Sequence, residues 1–170
     1  MDLGFDVVDL PEADHVTEGE TAPDFTRPLV TDEYWEDVAL SALTAEGPVV
    51  LVCYTMDGAF PATYIWNELR DRGFDEYDAT TVGLSISTPY EHKDLIEERE
   101  MSFDLFSDPS NAVAKEYGIA HDLDGMTGIS EPRPATFVID EERTVQYAWV
   151  AEEWPDFPDY DKLEAAVEDL

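Results

Sequence analysis

The chain of 170 residues has one cysteine, Cys53, so no intrachain disulfide can form, and a lone thiol agrees with a reducing compartment. It is also poor in basic residues, with nine Lys and Arg against 41 Asp and Glu, a formal net charge of −32. Only Lys93, Lys115 and Lys162 are lysines, and no stretch clusters Lys or Arg. A nucleic-acid binder needs a basic footprint, so that class is excluded, and an anionic membrane surface would repel the protein. Long apolar runs are missing too. The longest, residues 49–54, falls far short of the length that crosses a bilayer. The segment Met1-Asp2-Leu3-Gly4-Phe5-Asp6 has no basic region, so no secretory signal is visible and a cytoplasmic location is expected.

What is present is a folding composition. Four Trp, eight Tyr and eight Phe are spread along the chain, and apolar residues make up 44%, which argues against a disordered acidic tail. The remaining reading of the charge is a halophilic, folded protein. At about 1 M salt the Debye length is roughly 3 Å, so neighbouring surface carboxylates hardly repel each other. In dilute buffer the same charge destabilises the compact state. The length suits one domain over residues 1–170, with residues 1–17 an N-terminal extension and 155–170 a C-terminal linker and helix.

Residues 5–10 read as a short edge strand ending at Pro11, residues 38–43 as a strand with a polar face, and residues 49–54 as a central strand buried on both faces. Ile65, Trp66 and Leu69 share one face of a helix predicted over 62–72, stopped by Gly73. A strand over 79–87 follows, then a charged helix over 89–101 with Pro89 in its first turn, and a short strand over 103–106. Ser110 is placed to cap a helix over 111–117, closed by Gly118, and residues 121–132 read as a loop. Strands over 136–140 and 144–151 make a hairpin, and a helix over 160–170 ends the chain. Strands alternating with helices, closed by a hairpin, predict an α/β fold with a central mixed sheet.

Five stretches occur in a familiar order: Gly19-Glu20-Thr21-Ala22-Pro23-Asp24-Phe25, Val38-Ala39-Leu40-Ser41-Ala42-Leu43, the strand–loop–helix of residues 49–71, Phe106-Ser107-Asp108-Pro109 with Ala112-Val113-Ala114-Lys115-Glu116-Tyr117-Gly118, and Pro134-Ala135-Thr136-Phe137-Val138-Ile139-Asp140. Over about residues 17–153 the chain resembles the redoxins of the thioredoxin superfamily, of the peroxiredoxin (alkyl hydroperoxide reductase/thiol-specific antioxidant) type. The resemblance implies a thioredoxin-like fold, and a homodimer as the form such proteins commonly take. It also implies a Pro-x-x-x-Thr-x-x-Cys loop in front of the helix. Matched without gaps, Thr55 stands at that Pro, Ala59 at the Thr and Ala62 at the peroxidatic Cys; a shift of one residue puts Thr63 there. The arginine the family keeps three residues before the Phe is Pro134 here, with Arg133 one residue early. In a regular strand that offset points the side chain to the other face. Relatives in the superfamily carry a cis-proline at the place of Pro134, which marks Arg133–Pro134 as a candidate cis bond.

Cys53 is either a redox thiol or a small apolar residue inside a central strand, where burial makes a thiol inert; the second reading is favoured. Thr63 has no local base that would make it a nucleophile, and is assigned to the helix start. His15, His92 and His121 are scattered. His121-Asp122-Leu123-Asp124-Gly125 is a fragment of a calcium loop without its remaining ligands, so no metal site and no cofactor is expected. Trp66, Tyr147, Trp149 and Trp154 are assigned to core or interface packing, and Gly125-Met126-Thr127-Gly128 to a surface loop near the site.

With the nucleophile, its Thr and the Arg all replaced, the expectation is a redoxin-domain protein that has lost thiol peroxidase activity and acts as a binding or scaffold module for an unidentified protein partner. The alternative is a one-cysteine oxidoreductase and antioxidant protein using Cys53. An engineered Ala62 is a third account, opposed by the simultaneous loss of the motif Pro and Thr.

Overall fold

The computed structural model describes residues 7–121 and 127–170. In chain order the strands and helices are β1 (Val8–Asp9), β2 (Thr26–Val30), β3 (Trp35–Ala39), α1 (Leu40–Thr44), β4 (Val49–Cys53), α2 (Phe60–Asp71), β5 (Thr80–Ser85), α3 (Pro89–Arg99), β6 (Asp104–Ser107), α4 (Ala112–Tyr117), β7 (Ala120–His121), β8 (Glu131–Pro132), β9 (Ala135–Ile139), β10 (Val145–Val150), β11 (Glu153–Trp154) and α5 (Tyr160–Glu168). A 3-10 turn, Phe74–Glu76, follows α2.

Seven strands form one mixed sheet in the order β10-β9-β4-β5-β6-β2-β3. β4, β5 and β6 run parallel, and β9 and β10 continue the sheet antiparallel on one side, β2 and β3 on the other. The centre is apolar because β4 is buried on both faces, and its side chains alternate between two cores. Val49, Leu51 and Cys53 pack with Phe106, Phe137, α1 and α4; Val50, Val52 and Tyr54 pack with α2, α3 and α5. The expected α/β fold with a central mixed sheet is therefore present.

Local details differ from the sequence reading. The strand expected over 38–43 ends at Ala39, and α1 takes over at Leu40. The Phe25 carbonyl accepts the Leu40 N–H and the Asp24 carboxylate accepts the Ser41 N–H, satisfying two donors that a helix start leaves free. Leu40 and Thr44, four residues apart, are buried together. β2 had no signal, because Pro28 breaks its pattern; its pairing with β6 begins past that proline, at Leu29. β1 is not an edge of the main sheet but pairs with β11 in a separate ribbon, and residues 5 and 6 of the expected strand lie outside the described residues. The stretch expected as a loop over 121–132 has paired ends, Ala120↔Pro132 and His121↔Glu131. α4 starts from Asn111 rather than Ser110: Asn111 sits in the left-handed region, and the Asp108 carboxylate accepts the Val113 N–H.

Candidate functional site

The carboxyl ends of parallel strands are where an open α/β sheet offers a crevice to ligands. Here β4 ends at Cys53, and residues 54–59 lead into α2. α2 begins two residues earlier than its apolar spacing suggested. Pro61 supplies the fixed φ that suits a first turn, and Ala59 takes the cap position without a side-chain hydrogen bond. Thr63 is thus not the start of the helix but its fourth residue, its N–H bonded to the Ala59 carbonyl at 3.2 Å. Ala62 lies in the first turn, buried against the α2 core, and Thr55 is buried at the base of the loop. Ala135 pairs with Cys53, so Pro134 comes level with Tyr54. The fold therefore gathers Thr55, Ala59, Ala62 and Pro134 at one end of the sheet.

Two of the residues singled out do not join them. Cys53 points into the opposite core, the one packed with α1 and α4. Burial, and secondarily the charge of Asp108, push its thiol far above the ordinary range, so it stays protonated. Arg133 turns toward β10 and the N-terminal segment. Its Nη1 donates to the Ala151 carbonyl at 3.3 Å and its Nη2 to the Pro11 carbonyl at 2.6 Å. Desolvation lowers the pKa of its guanidinium. The side chain lines a cleft of about 630 Å³ with Asp9, His15, Glu152 and Asp156. Arg133–Pro134 is trans; the cis bond among the described residues is Trp154–Pro155.

The loop carries a buried polar network. The Tyr54 hydroxyl donates to Asp57 Oδ1 at 2.7 Å, and His92 Nδ1 lies 2.7 Å from Asp57 Oδ2. His92 Nε2 lies 2.9 Å from the Phe106 carbonyl of β6, and the Asp57 N–H donates to Ser87 Oγ at 2.8 Å. Burial, then the charge of Asp57 and the bond to it, raise the Tyr54 pKa well above its usual value and keep the hydroxyl a donor. His92 is brought inward by the start of α3. Thr88 and Glu91 close a capping box, Pro89 occupies the first turn, and His92 and Ile96 share the buried face. His92 had no sequence signal beyond being a histidine, since its partner lies 35 positions away. Tyr54, Asp57 and Ser87 were missed altogether: a Tyr and an Asp three apart in a loop look like ordinary turn residues until α3 and β6 are folded onto them.

The other aromatics divide between core and surface. Trp66 is buried and meets Tyr54 edge to face, with ring centroids 5.7 Å apart. Tyr147 and Trp149 are half-buried on edge strand β10, and Trp154 is half-buried in β11. Phe60, Tyr64 and Phe157 form an edge-to-face series by the start of α2. Among the described residues no group of three or more His, Cys, Asp or Glu is placed to hold a metal ion. The fragment over 121–125 lies, apart from His121, outside the described residues, as do Gly125 and Met126 of the loop assigned to the site's side. Among the described residues no helix is long and apolar enough to cross a membrane.

Comparison with known proteins agrees with this fold. The profile of the AhpC/TSA family matches residues 19–148. A chloroplastic peroxiredoxin Q of Sedum lineare is 32% identical over 136 residues, covering 79% of this chain and 69% of that protein. The peroxiredoxin Q of Oryza sativa subsp. japonica is also 32% identical over 136 residues, covering 79% of this chain but only 59% of the rice protein. The crystal structure of the peroxidoxin BcpB from Mycobacterium tuberculosis superposes with a TM-score of 0.77 at 28% identity, covering 92% of this chain and 99% of that one. The reduced 2-Cys peroxiredoxin of Plasmodium vivax, at 20% identity, shares the fold with a TM-score of 0.73, covering 91% of this chain and 96% of that one.

Proposed function

The chain belongs to the AhpC/TSA family, and from that premise we propose that it is a redoxin-domain protein without thiol peroxidase chemistry, used as a binding or scaffold module. One observation carries the reading. The chain's single thiol, Cys53, lies in the core on the opposite side of β4 from α2, while the first turn of α2 offers Ala62. A thiol peroxidase needs a thiolate that peroxide can reach, activated by its surroundings. Cys53 is 2% exposed, and burial favours its protonated form. The arginine nearest the family's position is committed to two backbone carbonyls away from the loop. The acidic surface supports a home in a high-salt cytosol, and the family supports a dimer as the working form.

The test is peroxide consumption by the purified protein in molar salt, with a dithiol reductant, alongside thiol labelling of the native and denatured chain. The expected result is no turnover above the reductant blank, and labelling of Cys53 only after denaturation. Robust turnover sinks the proposal, and labelling of the native protein revives the one-cysteine oxidoreductase.

A further inference from the structure

We propose that Asp57 and His92 form a pH-sensitive latch that fastens the loop between β4 and α2 onto α3 and β6. The inference goes beyond the binding reading and does not depend on what the site holds. It starts from the surroundings of the imidazole. The His92 side chain is fully buried and that of Asp57 is 8% exposed. A carbonyl can only accept, so the proton on the Phe106 side belongs to Nε2. Asp57 Oδ1 already accepts from Tyr54, and Oδ2 faces Nδ1. With acceptors on both sides, the arrangement is satisfied by a ring that donates from Nδ1 to an ionised Asp57 and from Nε2 to the Phe106 carbonyl.

The neighbours leave that pair to itself. From the residue after β4 the network receives the neutral Tyr54 hydroxyl, and from the end of β5 and the loop beyond it the hydroxyls of Ser85 and Ser87, which accept from the Ser87 and Asp57 N–H groups respectively. β6 presents the Phe106 carbonyl. Asp108, just past β6, is taken up by Arg27 and the Val113 N–H. On α3, Glu91 is held in the capping box with Thr88, and Lys93 is bonded to Glu97 and to the Asp32 carbonyl. Among the described residues, Asp57 is therefore the charged group hydrogen-bonded to the His92 ring.

Raising the pH removes one ring proton to solvent. A lone pair then faces either Asp57 Oδ2 or the Phe106 carbonyl across a former hydrogen bond, between side chains that are both buried. The rigid partner is Phe106, inside the sheet; the movable one is Asp57, on a loop that continues through Gly58 at φ +84°. The loop is the part that lets go. Its release exposes the carboxyl ends of β4, β5 and β6, where Thr55, Ser87 and Ser107 are buried.

Nitrogen NMR of histidine-labelled protein in molar salt, from about pH 5 to about pH 9, follows the ring protons, with His92→Asn identifying the His92 signals. Amide-exchange protection factors, which remove the intrinsic pH dependence, follow the loop through the N–H groups of Asp57 and Ala59. The latch predicts two protonated ring nitrogens at the acid end and the loss of one proton on raising the pH. Loop protection falls by about tenfold or more along the same curve, while β9 stays unchanged. Asp57→Asn is the second variant, and its loop protection is expected not to follow pH. A ring that keeps one proton count throughout, or a loop whose protection ignores the change, overturns the proposal. Both wild-type measurements stand even where a variant fails to fold.

Discussion

Asp104 and Asp140 are both aspartates at strand ends, yet the fold treats them oppositely. Asp104, at the start of β6, is raised by burial and, second, by the charge of Asp32. Asp140, in the turn after β9, is raised by its slight burial, but that is outweighed by hydrogen bonds from the Thr144 N–H, the Gln146 amide and the Glu142 N–H, so the net shift is downward. The linkage signs follow. A carboxyl raised in the folded state destabilises the protein once ionised. Asp104→Asn is therefore expected to stabilise by about 0.5 kcal/mol at neutral pH, with the gain vanishing as pH falls through the raised native value to the unfolded one. A carboxyl lowered in the folded state adds stability above its unfolded value and loses it as pH falls through its native value. Asp140→Ala is expected to cost about 1 kcal/mol at neutral pH, and its curve should converge on wild type below the carboxylate range. Denaturant melts of both variants across acid to neutral pH check the two signs together; slopes of the same sign would contradict the assignment.

The elements are held by close fits that composition does not announce. Gly83 of β5 sits where a Cβ would come within 2.6 Å of both Leu105 Cδ2 on β6 and the Trp66 indole on α2. The leucine tip can give way, but the buried indole is boxed in by Tyr54 and Phe103. Gly83→Ala is expected to destabilise by about 1–3 kcal/mol through overpacking, with a shift in Trp66 fluorescence; a neutral melt would show that α2 has room to move. A strand with a glycine looks weak in sequence, and the reason for the glycine lies on a helix 17 positions earlier. α1 carries the same lesson. Its residues alternate well enough for a strand, and the acceptors that turn them into a helix, Asp24 and the Phe25 carbonyl, lie on a segment about 15 positions upstream. Elements with a dense local signal were legible to within a few residues: β4, α2, β5, α3 and the β9–β10 hairpin. Those that depend on a distant partner were not, as β2, α1 and the β1–β11 ribbon show.

At the scale of the whole molecule the net charge of −32 dominates. Most cations are already engaged locally: Arg72 alone bridges Glu68, Asp161 and Glu164 and stacks over Tyr160, joining α2 to α5. The remaining carboxylates repel across a surface whose Debye length shrinks from about 10 Å at 0.1 M salt to about 3 Å at 1 M. The thermal midpoint is therefore expected to climb steeply between dilute buffer and molar salt; a flat profile by calorimetry would falsify the halophilic reading. That expectation needs only composition, because an excess of 32 like charges on one small domain repels itself in any compact arrangement and salt screens that repulsion. Composition and pattern also determined the mixed α/β sheet, the burial of β4 on both faces and the fact that no cysteine stands at the head of α2. Each is written in nearest neighbours, in residue type and in a period of two or 3.6. Tertiary structure alone decided which way Cys53 points, where Arg133 goes, and that Tyr54, Asp57, Ser87 and His92 meet. A hydrogen bond acts over about 3 Å, and folding is what brings residues dozens of positions apart within that reach.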